Sequence, residues 1–178
     1  MKPSPDCRLC GLWSGRTQIV MPCGDPASGI VFVGEAPGES EDLRGMPFVG
    51  KSGKILDGMM AEEGFGRSEI MITNTVKCRP PGNRDPTDGE MAACRPFLHS
   101  ELESCRLVIG LGKSACRALM GFEGRMSDIV NTETEISVNG KTIRFIPTYH
   151  PAACIYRKEA REELRKTLRK VREELGIH

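Results

Sequence analysis

Residues 30–53, IVFVGEAPGESEDLRGMPFVGKSG, decide how this chain is read. The stretch opens with Ile30-Val31-Phe32-Val33, whose length and β-branched content are those of a buried parallel strand. At Gly34 it breaks into a loop holding the carboxylates Glu35, Glu39, Glu41 and Asp42 and the apolar segment Met46-Pro47-Phe48-Val49, with a helix expected from about Ser52. A loop that leaves the carboxyl end of a strand is where open α/β sheets place their ligands.

Downstream, residues 54–63 carry Ile55, Leu56, Met59 and Met60 at helical spacing, and Gly64 closes the helix. Ile70-Met71-Ile72 predicts a second strand ending at Thr73-Asn74, and the proline-rich KCRPPGNRDP after it can be neither strand nor helix interior. Thr87-Asp88-Gly89-Glu90 has capping-box spacing, so a helix starts there and runs through Cys94 and Leu98 toward Leu102. Leu107-Val108-Ile109 is the third strand, followed by a helix over residues 113–120 and a loop over residues 121–128. Asn139-Gly140 between alternating runs predicts a hairpin over residues 135–145, whose second arm reaches Pro147 and delivers His150 to a strand end. Residues 157–175 place Ala160, Leu164, Leu168, Val171 and Leu175 on one face of an amphipathic helix. Helices alternating with short apolar strands argue for an α/β fold: one three-layer α/β/α domain over residues 1–178 with a mainly parallel central sheet. Residues 1–28, with Cys7-Arg8-Leu9-Cys10, Trp13 and a Pro/Gly-rich tract, read as irregular and in need of an outside staple.

The net charge of +1 means that nucleic-acid binding would have to come from a local cluster of Lys and Arg, not from the field of the whole molecule. Residues 1–7 have neither the charged nor the apolar part of a signal peptide, and no apolar run approaches a membrane span, so a cytoplasmic protein without membrane contact is expected. Eight cysteines in such a chain point to a metal or iron–sulfur site before a disulfide framework. Cys7 and Cys10 suit one half of that site; spacing does not choose the rest among Cys23, Cys78, Cys94, Cys105, Cys116 and Cys154. Residues 45–52, GMPFVGKS, match the phosphate-loop pattern, but they do not leave their strand directly, and no later strand ends in a metal-holding Asp. A phosphate-loop nucleotidase is therefore a minor reading. The Asn74 amide offers a donor and an acceptor together, as the O4/N3–H edge of uracil requires, and His150 at a strand end can donate to an oxygen that becomes negative.

Taken together, Gly34-Glu35-Ala36-Pro37-Gly38 with Glu41-Asp42, residues 45–50 (GMPFVG), residues 74–81 (NTVKCRPP) and His150-Pro151-Ala152-Ala153 resemble the family four uracil-DNA glycosylases. The motifs stand in that family's order and cover the chain from Cys7 to about Arg157. The resemblance implies an α/β/α domain with a [4Fe–4S] cluster that removes uracil from DNA in base-excision repair. By position it implies Cys7, Cys10, Cys78 and Cys94 as cluster ligands. It also implies Phe48 as the ring stacked on uracil, Asn74 as the reader of its edge and His150 as the donor to O2, with Gly34 and Ala36 beside the base. Family one enzymes carry Asp where this chain has Ala36, so the water-orienting carboxylate falls to Glu41, the favoured choice, or to Glu35.

Where the family has wedging leucines this chain has Cys154-Ile155-Tyr156-Arg157, so Ile155 or Tyr156 is expected in that role. Lys51, Lys77, Arg79 and Arg157, together with Lys54 and Arg84, are candidate phosphate contacts. The expected partner is single- or double-stranded DNA containing uracil, met by a monomer, with any sliding-clamp contact left open. A nucleic-acid-binding homologue with little catalysis is the alternative reading.

Overall fold

The computed structural model describes residues 1–178. The opening run forms a strand that is buried along its whole length, because helices cover both faces of the sheet that it crosses. In chain order the strands are β1 (Cys23–Gly24), β2 (Ile30–Gly34), β3 (Met71–Asn74), β4 (Leu107–Leu111), β5 (Thr134–Val138) and β6 (Lys141–Thr148). The helices are α1 (Glu39–Arg44), α2 (Lys51–Glu62), α3 (Asp88–Leu102), α4 (Lys113–Met120), α5 (Met126–Ile129) and α6 (Lys158–Glu174). The six strands lie in the order β1-β3-β2-β4-β6-β5; the central four are parallel, and β1 and β5 run antiparallel at the two edges.

Alternation along β2 divides the core. Ile30 and Phe32 pack with Leu56, Met59 and Met60 of α2 and with Leu164, Leu168 and Val171 of α6, whereas Val31 and Val33 pack with Leu98 and Leu102 of α3 and with Cys116 of α4. The molecule is therefore layered helix, sheet, helix. Phe32 is completely buried, so its truncation to Ala should cost about 3–5 kcal/mol. A third, smaller apolar cluster lies outside these two layers: Leu12, Val76, Cys78, Met91, Cys94 and Phe97.

Local chemistry accounts for most boundaries. Thr87 caps α3, its hydroxyl accepting from the Glu90 N–H (3.2 Å) while Glu90 Oε2 accepts from the Thr87 N–H (2.8 Å). Asn139 and Gly140 make the two-residue turn between β5 and β6 with φ of 49° and 80°. Three features differ from the sequence reading. Glu39–Arg44 is a short helix rather than loop, with Glu39, Glu41 and Asp42 in its first turn, where the helix dipole favours acidic side chains. Residues 1–28 contain a strand, β1, whose partner β3 is remote in sequence. Met126–Ile129 is one helical turn inside the expected loop. No helix is long and apolar enough to cross a membrane.

Candidate active site

The carboxyl ends of β2, β3 and β6 open into a cleft of ≈ 640 Å³, lined by Glu35, Ala36, Glu41, Phe48, Asn74 and His150 among others. Chain reversal around β2 makes this the switch point of the sheet, with β3 on one side and β4 on the other. Register sets the floor: Gly34 pairs with Asn74, so the two meet side by side beneath the cleft. A Cβ on Gly34 would lie 2.6 Å from Asn74 Oδ1 and closer still to the Phe48 ring, so only glycine lets ring and amide converge. Asn74 Oδ1 is buried and has no hydrogen-bond partner. A buried polar oxygen left bare is costly, and at a cleft floor it is open to a donor on a ligand.

Phe48 is buried and held in the left-handed region, at φ 53°. Such a conformation costs about 1–3 kcal/mol and persists only where its surroundings enforce it. Two sets of contacts do so. Glu41 accepts from the Gly38 N–H through Oε1 (3.0 Å) and from the Val49 and Gly50 N–H groups through Oε2 (2.9 and 2.6 Å). Arg67, pinned to Asp57 Oδ1 at 2.7 Å, donates to the carbonyl of Pro47 (2.8 Å) and to that of Phe48. Gly53 must lack a Cβ because the Phe48 carbonyl occupies that space. The Arg67–Asp57 support carried no signal in the sequence, since the pair makes no motif. The same contacts dispose of the phosphate loop: the amides of Val49 and Gly50, which would have to cradle phosphate, are taken by Glu41.

His150 precedes the turn Pro151–Ile155, and its Nδ1 accepts from the Ala152 N–H at 3.1 Å. With Nδ1 an acceptor, the neutral ring carries its proton on Nε2. Burial pushes the imidazolium down to about 4, outweighing the opposite pull of the Glu41 charge, so the ring is neutral at physiological pH. Its centroid lies 5.7 Å from that of Phe48. Glu35 has different neighbours from Glu41. Burial raises it to about 7 despite the Ser114 hydroxyl, which donates to its Oε2 at 2.8 Å; the neighbouring Asp85 raises it further. Ser114, which the sequence reading did not single out, lies on α4.

The remaining site residues fall into three groups. Lys51 is exposed at the cleft, Tyr156 is 86% exposed beside half-buried Ile155 and exposed Arg157, and half-buried Arg79 donates to Asn83 Oδ1 at 2.7 Å in the loop along the cleft edge. Lys77 corrects the sequence reading: it is only 1% exposed and faces inward, where no DNA phosphate can reach it. Its ammonium donates to Glu101 Oε2 (2.7 Å), Thr73 Oγ1 (2.7 Å) and the Asn74 carbonyl (2.6 Å), a buried pair that fixes the backbone of Asn74. Finally, Cys78 and Cys94 are core members of the third apolar cluster, and Cys7 and Cys10 pack against it. Cys105, Cys116 and Cys154 are buried in the two main layers, apart from this group.

A family model described as the uracil DNA glycosylase superfamily matches residues 21–175, and the chain belongs to that superfamily. It is 41% identical to the type-4 uracil-DNA glycosylase of Archaeoglobus fulgidus over 96% of this chain and 88% of that protein. The type-4 uracil-DNA glycosylases of Saccharolobus solfataricus (41%; 96% of this chain, 82% of that protein) and Thermotoga maritima (38%; 90% and 82%) are similar over comparable spans.

Proposed function

We propose that this chain is a DNA-repair hydrolase that excises uracil by cleaving its N-glycosidic bond. The observation that carries the reading is the bare, buried Asn74 Oδ1 on the cleft floor beside the Phe48 ring, whose centroid lies 5.7 Å from that of a neutral His150. Uracil offers N3–H to that oxygen and O4 to the Asn74 amide N–H; cytosine presents a lone pair and an amino group there, leaving both partners mismatched. The membership of the superfamily and the type-4 relatives support the same substrate.

The chemistry follows from charge. As the bond breaks, the sugar becomes positive and uracil negative, with charge on O2. His150 donates through Nε2–H to O2; because the ring is neutral, it stabilises the anion without first having to bind a proton. Glu41 is the clamp of the Phe48 segment rather than the water-orienting group, since three backbone N–H groups occupy it. Glu35, with Ser114 as its one side-chain donor and the Asp85 carboxyl beside it, orients the water once it is ionised. The nucleotide must leave the helix to reach the cleft, and Phe48 stacking offsets part of the unstacking cost of a few kcal/mol. Tyr156, exposed just beyond His150, occupies the vacated place with Ile155, while Lys51, Arg79 and Arg157 contact phosphates.

Cys7, Cys10, Cys78 and Cys94 would hold a [4Fe–4S] cluster, an all-thiolate donor set that packs around one apolar cluster of side chains. When bound, the cluster supplies a cross-link between the N-terminal segment and α3. Iron and sulfide analysis of protein purified without oxygen, beside a Cys7→Ser variant, checks this: four irons per chain are expected, and zinc in their place would refute it. For the activity, an oligonucleotide with one uracil, treated with protein and then alkali, should break at the uracil and stay whole with cytosine or thymine. An intact uracil strand from properly folded protein refutes the function.

A further inference from the structure

Residues Arg16, Thr17 and Gln18 join the cysteine lobe to the wall of the cleft. Arg16 donates from Nη1 to the Cys7 carbonyl (2.8 Å) and Cys78 Sγ (3.5 Å), and from Nη2 to the Pro5 carbonyl (2.9 Å). Thr17 then donates its backbone N–H to Asp42 Oδ1 at 2.8 Å. Gln18 donates from Nε2 to the carbonyls of Asp42 (3.1 Å) and Leu43 (3.0 Å). These carbonyls belong to the last turn of α1, where helix geometry leaves them without intrahelical partners. A helix of six residues is not stable alone, so its order must come from outside. Asp42 is only 3% exposed, and a buried carboxylate is kept only where a contact requires it. It does not line the cleft, but it follows Glu41, whose carboxylate holds the two amides that follow Phe48.

We infer that Asp42, assisted by Gln18, is a positioning residue: a clasp that fastens the segment carrying Phe48 to the cysteine lobe, so that order in the lobe sets how firmly the base is stacked. The inference rests on the reading of Phe48 as the stacking ring. A loosened clasp leaves His150, Asn74 and Glu35 in place and frees only the ring, so KM for uracil-containing DNA rises while kcat holds.

Three variants test this. Asp42→Ala removes the acceptor for Thr17. Asp42→Asn keeps an oxygen that accepts from the same N–H. Gln18→Glu sets a carboxylate against two carbonyls at an exposed position, where folding is not at stake. Hydrogen exchange of residues 46–50 in DNA-free protein reports on the clasp without reference to any base. Exchange about tenfold faster in Asp42→Ala and Gln18→Glu is expected, with KM raised about tenfold, kcat within about twofold and Asp42→Asn close to the parent. Unchanged exchange in both Asp42→Ala and Gln18→Glu overturns the clasp, as does an Asp42→Asn protein as loose as Asp42→Ala. Faster exchange with unchanged KM upholds the clasp and overturns Phe48 as the stacking ring.

Discussion

The two ends of the acidic loop over the cleft carry the same kind of side chain in opposite surroundings. At one end Glu41 is taken up by three backbone N–H groups and acts as a brace. At the other, Glu35 has only Ser114 to donate to it, and burial beside Asp85 raises it to about 7. The lysines repeat the contrast: Lys51 is exposed at the cleft, while Lys77 is buried against Glu101. Neighbours, not residue type or place in a motif, decide whether a charge builds the site or works in it.

The severest test of this contrast is Lys77→Met. It strands Glu101 as a buried charge, so stability should fall by about 3–5 kcal/mol in denaturant titration, and adding Glu101→Leu should recover most of the loss. Little loss from Lys77→Met alone would mean that Lys77 is not structural. Glu41→Ala comes next. Leaving the amides of Gly38, Val49 and Gly50 without their acceptor should cost about 3 kcal/mol of stability and, by freeing the Phe48 ring, raise KM about 100-fold with kcat little changed. If Glu41→Gln melted with the parent yet lost the chemical step, Glu41 would be the group that orients water and the contrast would break.

Glu35→Gln probes the other end through pH. The parent's rate should rise with pH through about 7 as Glu35 ionises; the variant should be flat there and about tenfold slower at the plateau. Stability moves the opposite way. The folded protein keeps a proton on Glu35 that the unfolded chain releases near 4.5, so this contribution is full at acid pH and lost as pH rises through about 7. His150 has the reverse sign: folded protein sheds a proton that the unfolded chain holds up to 6.5, so its stabilising share is lost as pH falls toward about 4. Melting curves across pH for the parent, Glu35→Gln and His150→Gln separate the two. The smallest effect is expected of Lys51→Ala: KM raised about threefold and the salt dependence of binding shallower by about 0.7–0.9 in slope, with kcat unchanged.

Much of this architecture was legible along the chain. The strands at Ile30, Met71 and Leu107, the capped start of α3, the span of α4 and the Asn139-Gly140 turn follow from periodicity and capping, which act within a few residues. The α1 helix had a signal too, acidic residues followed by Gly45, but its few residues hid beneath the loop pattern. Edge strand β1 had none, because two residues become a strand only when β3 lies beside them.

The sequence by itself determined the order of the main strands and helices and that Asn74 and His150 stand at strand ends, since local patterning sets both. Only the tertiary structure decided what each charged group does there. Ser114 reaches Glu35 across 79 residues and Glu101 reaches Lys77 across 24. A carboxylate or an ammonium takes its protonation, its partners and its task from burial and from groups that meet only when the chain has folded.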